Sequence, residues 1–206
     1  NSIVYAGGRP IFADICEDSF NIDPTEIKKQ IKKHPETKGI ISIHFAGLVP
    51  DVEAIYRIAQ EKELWIIEDA CHAFAGKWKD SKGTEHMVGN CAYSDMTIFS
   101  FHPVKHITTG EGGVAITNSK QIANSIIKLK NYGRMKKGNF FHSSVGYNFK
   151  FNDLCASIGV AQISKINMMI KKKREIYKYY FKYLNRLKHI TFSEIISHSN
   201  PVNWFI

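Results

Sequence analysis

The sequence predicts an α/β fold, a mainly parallel sheet flanked by helices. Two observations carry this. Apolar runs of strand length at residues 39–45, 64–68 and 95–101 alternate with stretches whose apolar residues recur at helical spacing, the pattern of βαβ units. Two of the runs also lead to residues with chemistry to offer, Asp69 and His72 after the second and Ser100 in the third. Ligands of parallel sheets gather at the carboxyl ends of strands.

The elements follow in order. Residues 4–6 and 11–14 are short apolar segments separated by Gly7-Gly8-Arg9-Pro10, a turn signal. Asp23-Pro24-Thr25-Glu26 puts Asp at the N-cap, Pro at the first helical position and Glu at the third, so a helix should run from there to about Lys33. Residues 39–45 read as a buried strand that Gly47 and Pro50 break. Asp51 then caps a helix with Val52, Ile55, Ile58 and Ala59 on one face. Residues 64–68 form the next strand, and the polar, turn-rich residues 76–89 are expected to be a loop. The strand at 95–101 leads through a glycine-rich turn to another at 114–117, and Asn118 or Ser119 should cap a helix reaching about Tyr132. Gly133-Arg134-Met135-Lys136-Lys137-Gly138 looks mobile, and a long helix is expected from Asp153.

Composition narrows the class. The 206 residues, 44% hydrophobic and 12% aromatic, suit a folded chain with one sizeable core and the beginning of a second. No run approaches a membrane span, and no charged-then-apolar leader is present. Asn1 is not an initiating methionine, and Asn203-Trp204-Phe205-Ile206 is an apolar stop without a cap; the expectation is a piece of a longer protein. Cys16, Cys71, Cys91 and Cys155 are widely spaced, which suits a reducing cytoplasm. A zinc site from Cys71, His72, Cys91 and His102 matches no closed structural pattern, so no metal is expected. Much of the net charge of +9 lies at residues 165–188, where apolar residues recur at helical spacing; the lysines there read as the wet face of an amphipathic helix. Attraction of an anionic nucleotide diphosphate is a second use of that field, and nucleic-acid binding a third without a supporting motif.

The candidate site is built around Lys105. It stands five residues after Ser100, on a short loop between two apolar strands. That is an odd place for a solubilising charge and a good one for a nucleophilic amine that must be held still and partly dehydrated. Taken alone Lys105 reads as a surface lysine, and Asp69 as a helix N-cap. Together, a Schiff-base lysine and a strand-end aspartate are the pair that pyridoxal phosphate (PLP) requires: the lysine holds the aldehyde and the carboxylate keeps the ring nitrogen protonated. Glu111-Gly112-Gly113 reads as the turn that returns the lysine to the sheet. His102 and His106 share helical spacing, which on a loop means nothing for a metal.

Asp69-Ala70-Cys71-His72, Ser100-Phe101-His102-Pro103-Val104-Lys105 and the following Thr-Gly-Glu-Gly-Gly resemble the DegT/DnrJ/EryC1/StrS family of PLP-dependent sugar-nucleotide aminotransferases. His-Pro-Val-Lys-x-Ile-Thr-Thr-Gly-Glu-Gly-Gly is most similar to its pseudaminic acid enzymes, which aminate C4 of a UDP-linked 4-keto-6-deoxy-N-acetylhexosamine. The resemblance implies the large domain of the aspartate aminotransferase-like fold (fold type I) over residues 1–164, with residues 165–206 a linking helix and the start of a small C-terminal domain. It implies pyridoxal 5'-phosphate as cofactor, with Lys105 carrying it and Asp69 at its ring nitrogen. His72 would meet its phenolic oxygen or ring face, Ser100 its phosphate. Asn148, in Gly146-Tyr147-Asn148-Phe149-Lys150, would reach the phosphate in a neighbouring subunit. The implied partners are an amino acid donor (glutamate), a keto sugar nucleotide and a second copy in a homodimer with shared active sites; no nucleic acid and no membrane is expected. The family's phosphate-binding Gly-Thr turn and ring-stacking aromatic belong upstream of where this chain begins. A structural role for His72 is the competing reading. For the whole chain the competitors are a non-catalytic PLP-fold regulator and a basic nucleic-acid-binding domain. Trp204 could belong to the small domain.

Overall fold

A computed structural model describes residues 1–135, 140–193 and 199–202. It opens with one helical turn, α1 (Ser2–Tyr5), and an extended stretch to the first long helix, α2 (Pro24–Lys33). The caps act as the sequence predicts: the Asp23 carboxylate accepts from the Thr25 backbone N–H, and Pro24 needs no hydrogen-bond partner at the first position. Strand β1 (Gly39–Ile43) leads through a short 3₁₀ turn (Phe45–Gly47) to α3 (Val52–Lys62), which Asp51 caps through the Ala54 N–H. Strand β2 (Trp65–Asp69) follows.

Residues 76–89 are not the expected loop. They form a hairpin of β3 (Lys77–Lys79) and β4 (Glu85–Met87), joined later by β7 (Ser199–Asn200). Trp78 is the reason: it turns into the core between two outward lysines and stacks on His86 across the hairpin, ring centroids 4.6 Å apart. The chain continues through β5 (Met96–Ser100), β6 (Gly113–Ile116) and α4 (Lys120–Leu129), which Ser119 caps and which ends three residues short of Tyr132. The single helix expected from Asp153 is two, α5 (Asp153–Ile163) and α6 (Ile166–Leu184), broken at Ser164 and Lys165. Trp204 and the Lys136-Lys137-Gly138 part of the stretch expected to be mobile lie outside the described residues.

The main sheet runs β1-β2-β5-β6. The first three strands are parallel, and β6 pairs antiparallel with β5. Helices α2 and α3 cover one face: Ile27, Ile55, Ile58 and Ala59 pack on Ile40 and Ile66. A second cluster, Val49, Val52, Ala70, Ala73, Trp78, Val88 and Phe99, extends the core under the carboxyl ends of β2 and β5. Strand alternation therefore splits neighbours. Glu68 is buried on the core side, while Asp69, Ile98 and Ser100 share the opposite, half-covered face. Among the described residues no helix is long and apolar enough to cross a membrane.

Candidate active site

Asp69 is the last residue of β2 and Ser100 the last of β5, and these strands are hydrogen-bonded neighbours. Asp69 pairs with Ile98, so Ser100 stands two residues farther along on the same face, about 7 Å on. The turn carrying Lys105 leaves β5 here and returns as β6, where Gly113 pairs with Ser100. Its base is tied by Phe101 N to Gly112 O (2.8 Å), Thr109 N to Phe101 O (3.0 Å) and Thr108 Oγ1 to Phe101 O (3.0 Å). Gly112, at φ +147°, has no room for a side chain, because a Cβ there would lie 2.4 Å from the Phe151 ring.

Asp69, His72, Ser100 and Lys105 are each half-buried. The charges of Lys105 and Asp69 both reach His72: burial and Lys105 push its pKa down to about 4, and Asp69 opposes them, so the ring is neutral. The adjacent Cys71 thiol is pushed up to about 12 by burial and by the hydrogen bond and charge of Asp69, with Lys105 working the other way, so it stays protonated. Asp69 Oδ1 accepts from Cys71 N at 3.2 Å, and Ser100 Oγ accepts from His102 N at 3.2 Å, which leaves the hydroxyl proton to donate elsewhere. The Phe45 ring stands edge-on to His72, centroids 6.2 Å apart.

Four of the five residues singled out from the sequence thus belong to two adjoining strand ends and the loops that follow them. Asn148 does not join them. It is exposed, bridged to Asn131, and among the described residues no hydrogen bond or charge interaction links it to the other four. Its chain neighbours Tyr147 and Phe149 are strongly exposed aromatic residues, and on α5 Leu154 and Val160 are strongly exposed as well.

Three features of the site escaped the sequence reading. The buried His44–Glu68 pair bridges β1 and β2, with His44 Nε2 2.7 Å from Glu68 Oε2. Burial raises the Glu68 pKa, but the hydrogen bond and charge of His44 and the hydroxyls of Ser94 and Thr97 outweigh it and hold the carboxyl below its usual range. The same turn supports Asp69 directly, because His44 N donates to Asp69 O at 3.0 Å. Gly47, at φ +90°, lets Val202 O and His72 O approach to 2.3 and 2.9 Å of where a Cβ would stand. His106, next to Lys105, is buried and bonded to Val202 O. The two histidine pairings join residues far apart in sequence; only Gly47, a glycine in the break after the apolar run, carried a local signal.

The DegT/DnrJ/EryC1/StrS aminotransferase family matches residues 1–206, the whole sequence. The chain belongs to that family. It is 34% identical over 190 residues to GDP-perosamine synthase of Escherichia coli O157:H7, covering 92% of this chain and 50% of that protein. It is 31% identical over 214 residues to the UDP-4-amino-4,6-dideoxy-N-acetyl-beta-L-altrosamine transaminase of Campylobacter jejuni subsp. jejuni serotype O:23/36, covering 100% of this chain and 55% of that protein. Among solved structures it superposes on Helicobacter pylori PseC, an aminotransferase involved in the biosynthesis of pseudoaminic acid, with TM-score 0.87 and 26% identity over 98% of this chain and 52% of that one. It also superposes on ntda of Bacillus subtilis, solved with bound cofactor PMP, with TM-score 0.85 and 28% identity over 99% of this chain and 45% of that one. The expected fold, a mainly parallel large-domain sheet of the PLP-dependent aminotransferases, is borne out. The chain spans about half the length of the curated relatives it matches.

Proposed function

We propose that the protein to which this chain belongs is a PLP-dependent aminotransferase that moves an amino group from an amino acid, glutamate by family resemblance, to the C4 keto group of a UDP-linked deoxy sugar. One observation carries the reading: Asp69 and Ser100 end adjacent parallel strands on one face, with Lys105 on the loop directly after. The residues fit the cofactor. Asp69 offers a carboxylate and Ser100 a hydroxyl with its proton to give, while Lys105 acts electrostatically on the same imidazole as Asp69.

When bound, PLP supplies an electron sink and an aldehyde that carries the amino group. In this reading Asp69 holds a proton on the ring nitrogen and Ser100 donates to the phosphate. Lys105 would hold the cofactor through its aldehyde, and its amine would be the group placed to move a proton at the carbon that loses or gains the amine. The neutral His72 can lie against the ring or its phenolic oxygen without adding a second cation beside Lys105. Asn148 we assign to the phosphate of a neighbouring subunit in a homodimer, a reading that the exposed aromatic residues flanking it, Tyr147 and Phe149, support. Residues 1–164 form part of the cofactor-binding domain in this reading, with α6 the link to a small domain and the cytoplasm the compartment. The partners are small molecules, with no role for nucleic acid or a membrane.

The UDP-linked substrate is favoured by the motif at Lys105 and by the full-chain match to the altrosamine transaminase. A GDP-linked keto sugar is the second reading, favoured by the higher identity to GDP-perosamine synthase. The test uses the full-length protein purified with PLP. Its visible absorption should change when glutamate is added, and Lys105→Ala should abolish the band or its response. Turnover of UDP-linked against GDP-linked keto sugars then separates the two substrates. A wild type without a cofactor band in excess PLP would overturn the proposal.

A further inference from the structure

The turn that presents Lys105 is tied to the sheet at its base. The bonds made by Phe101, Thr108 and Thr109 lie where the turn meets the sheet, and Lys105 N donates to His102 O at 2.9 Å. Pro103 and Val104 before the lysine are exposed. Directly after it the chain dives inward: His106 is 4% exposed and Ile107 3%.

His106 Nε2 lies 3.1 Å from the carbonyl oxygen of Val202, 96 residues away. A carbonyl only accepts, so Nε2 carries the proton, and Nδ1 has no hydrogen-bond partner among the described residues. The bond therefore fixes the ring's tautomer. Its acceptor is fixed in turn. Ser199 and Asn200 pair with Trp78 and Lys77, and the Arg174 guanidinium reaches Asn200 O and Pro201 O, each at 3.4 Å. Val202 is wholly buried, and its carbonyl presses against Gly47, at the meeting point of the turn after β1, the backbone of His72 and the lysine loop.

We infer that His106 is a positioning residue for Lys105, clamping the crest of the lysine loop to the 199–202 segment through the Nε2–H donated to Val202 O; this rests on reading Lys105 as the residue that carries the cofactor. Burial, which holds the ring neutral with a pKa of about 4, keeps that single donor in place at neutral pH. The clamp also makes the lysine sensitive to the segment after α6, since any shift of residues 199–202 is passed to the residue beside it.

The test compares His106→Gln, whose terminal amide can reach the same carbonyl, with His106→Leu, which fills the space but donates nothing. The probe is reductive methylation of the chain without cofactor, read at each lysine by peptide mass spectrometry, with Lys77 and Lys120 as internal references. His106→Leu should change the Lys105 rate by at least about threefold against those references, and His106→Gln should restore it to near wild type. A purely structural histidine would lower the melting temperature in both variants and leave the Lys105 rate alone, and that result overturns the inference. Should His106→Leu fail to fold by circular dichroism, His106→Asn, whose shorter amide falls short of the carbonyl, takes its place with the same two readings. The labelling needs no cofactor, so a missing cofactor band would count against the aminotransferase reading while the Lys105 rates still decide the role of His106.

Discussion

Acid should destabilise this chain through His106, and the size of the effect follows from its surroundings. Burial is the largest cause of its depressed pKa, about 4 against an ordinary 6.5. The Val202 carbonyl opposes that shift, while the charges of Lys173 on α6, His72 and Lys105 add to it. Unfolded, the imidazole takes up its proton near 6.5; folded, it resists until about 4. Between those values the unfolded chain binds more protons, so stability falls as the pH falls through that window, and this group costs nothing further below it. The full gap is worth about 3 kcal/mol, and acidifying from pH 7 to pH 5 costs about 2 kcal/mol of it. The assay is urea unfolding at both pH values, for the wild type and for His106→Gln, which cannot titrate. The wild type should lose about 2 kcal/mol more than the variant over that interval. His72 titrates in both proteins and cancels from the difference. Equal losses, within about 0.5 kcal/mol, would refute the reasoning, because the imidazole would then be charging as freely folded as unfolded.

The remaining predictions concern the frame. Glu68→Ala strands His44 Nε2 in the core and takes a partner from Thr97 Oγ1 and the half-buried Ser94 hydroxyl, and should cost about 3–5 kcal/mol in urea unfolding at pH 7. Ile55→Ala removes a side chain 1% exposed between α3 and the sheet and should cost about 2–5 kcal/mol, read in the same assay. Gly47→Ala strains a φ of +90° and drives a methyl into Val202 O; it should cost upwards of about 1–3 kcal/mol and raise amide hydrogen exchange at residues 105–107 together with 199–202.

How much of this was legible follows from which interactions are local. The caps at Asp23, Asp51 and Ser119 could be read because a cap and its partner are two or three residues apart. The strand ending at Asp69 and the turn carrying Lys105 could be read because apolar runs and glycines mark them. The β3–β4 hairpin could not. Its strands are three residues long, their outer faces are polar, and β3 gains a second neighbour only from residues 199–200. The break between α5 and α6 falls at Ser164 and Lys165, with no glycine or proline to announce it. His44, Glu68 and His106 read as unremarkable polar residues, and nothing nearby in the sequence names their partners. The spacing of His102 and His106 was meaningless for a metal; the ring matters instead for a carbonyl 96 residues on.

The antiparallel pairing of β5 with β6 explains why the candidate site gathers where it does. After β5 a further parallel strand would need a crossover of a dozen or more residues, usually through a helix, and would carry the chain off the carboxyl edge. Here β6 returns directly alongside β5, Gly113 against Ser100, so the twelve residues between them cannot leave that edge. Ser100 opens that turn and Lys105 lies within it, while Asp69 ends the neighbouring parallel strand. The alternation of β2 does the rest. Glu68, facing the core, locks β1 to β2 through His44, and the N–H of that same histidine holds the carbonyl of Asp69, whose side chain belongs to the opposite face. Two adjacent carboxylates thus divide the work: one stiffens the strand end, and the other is left at the half-covered face that a cofactor would occupy.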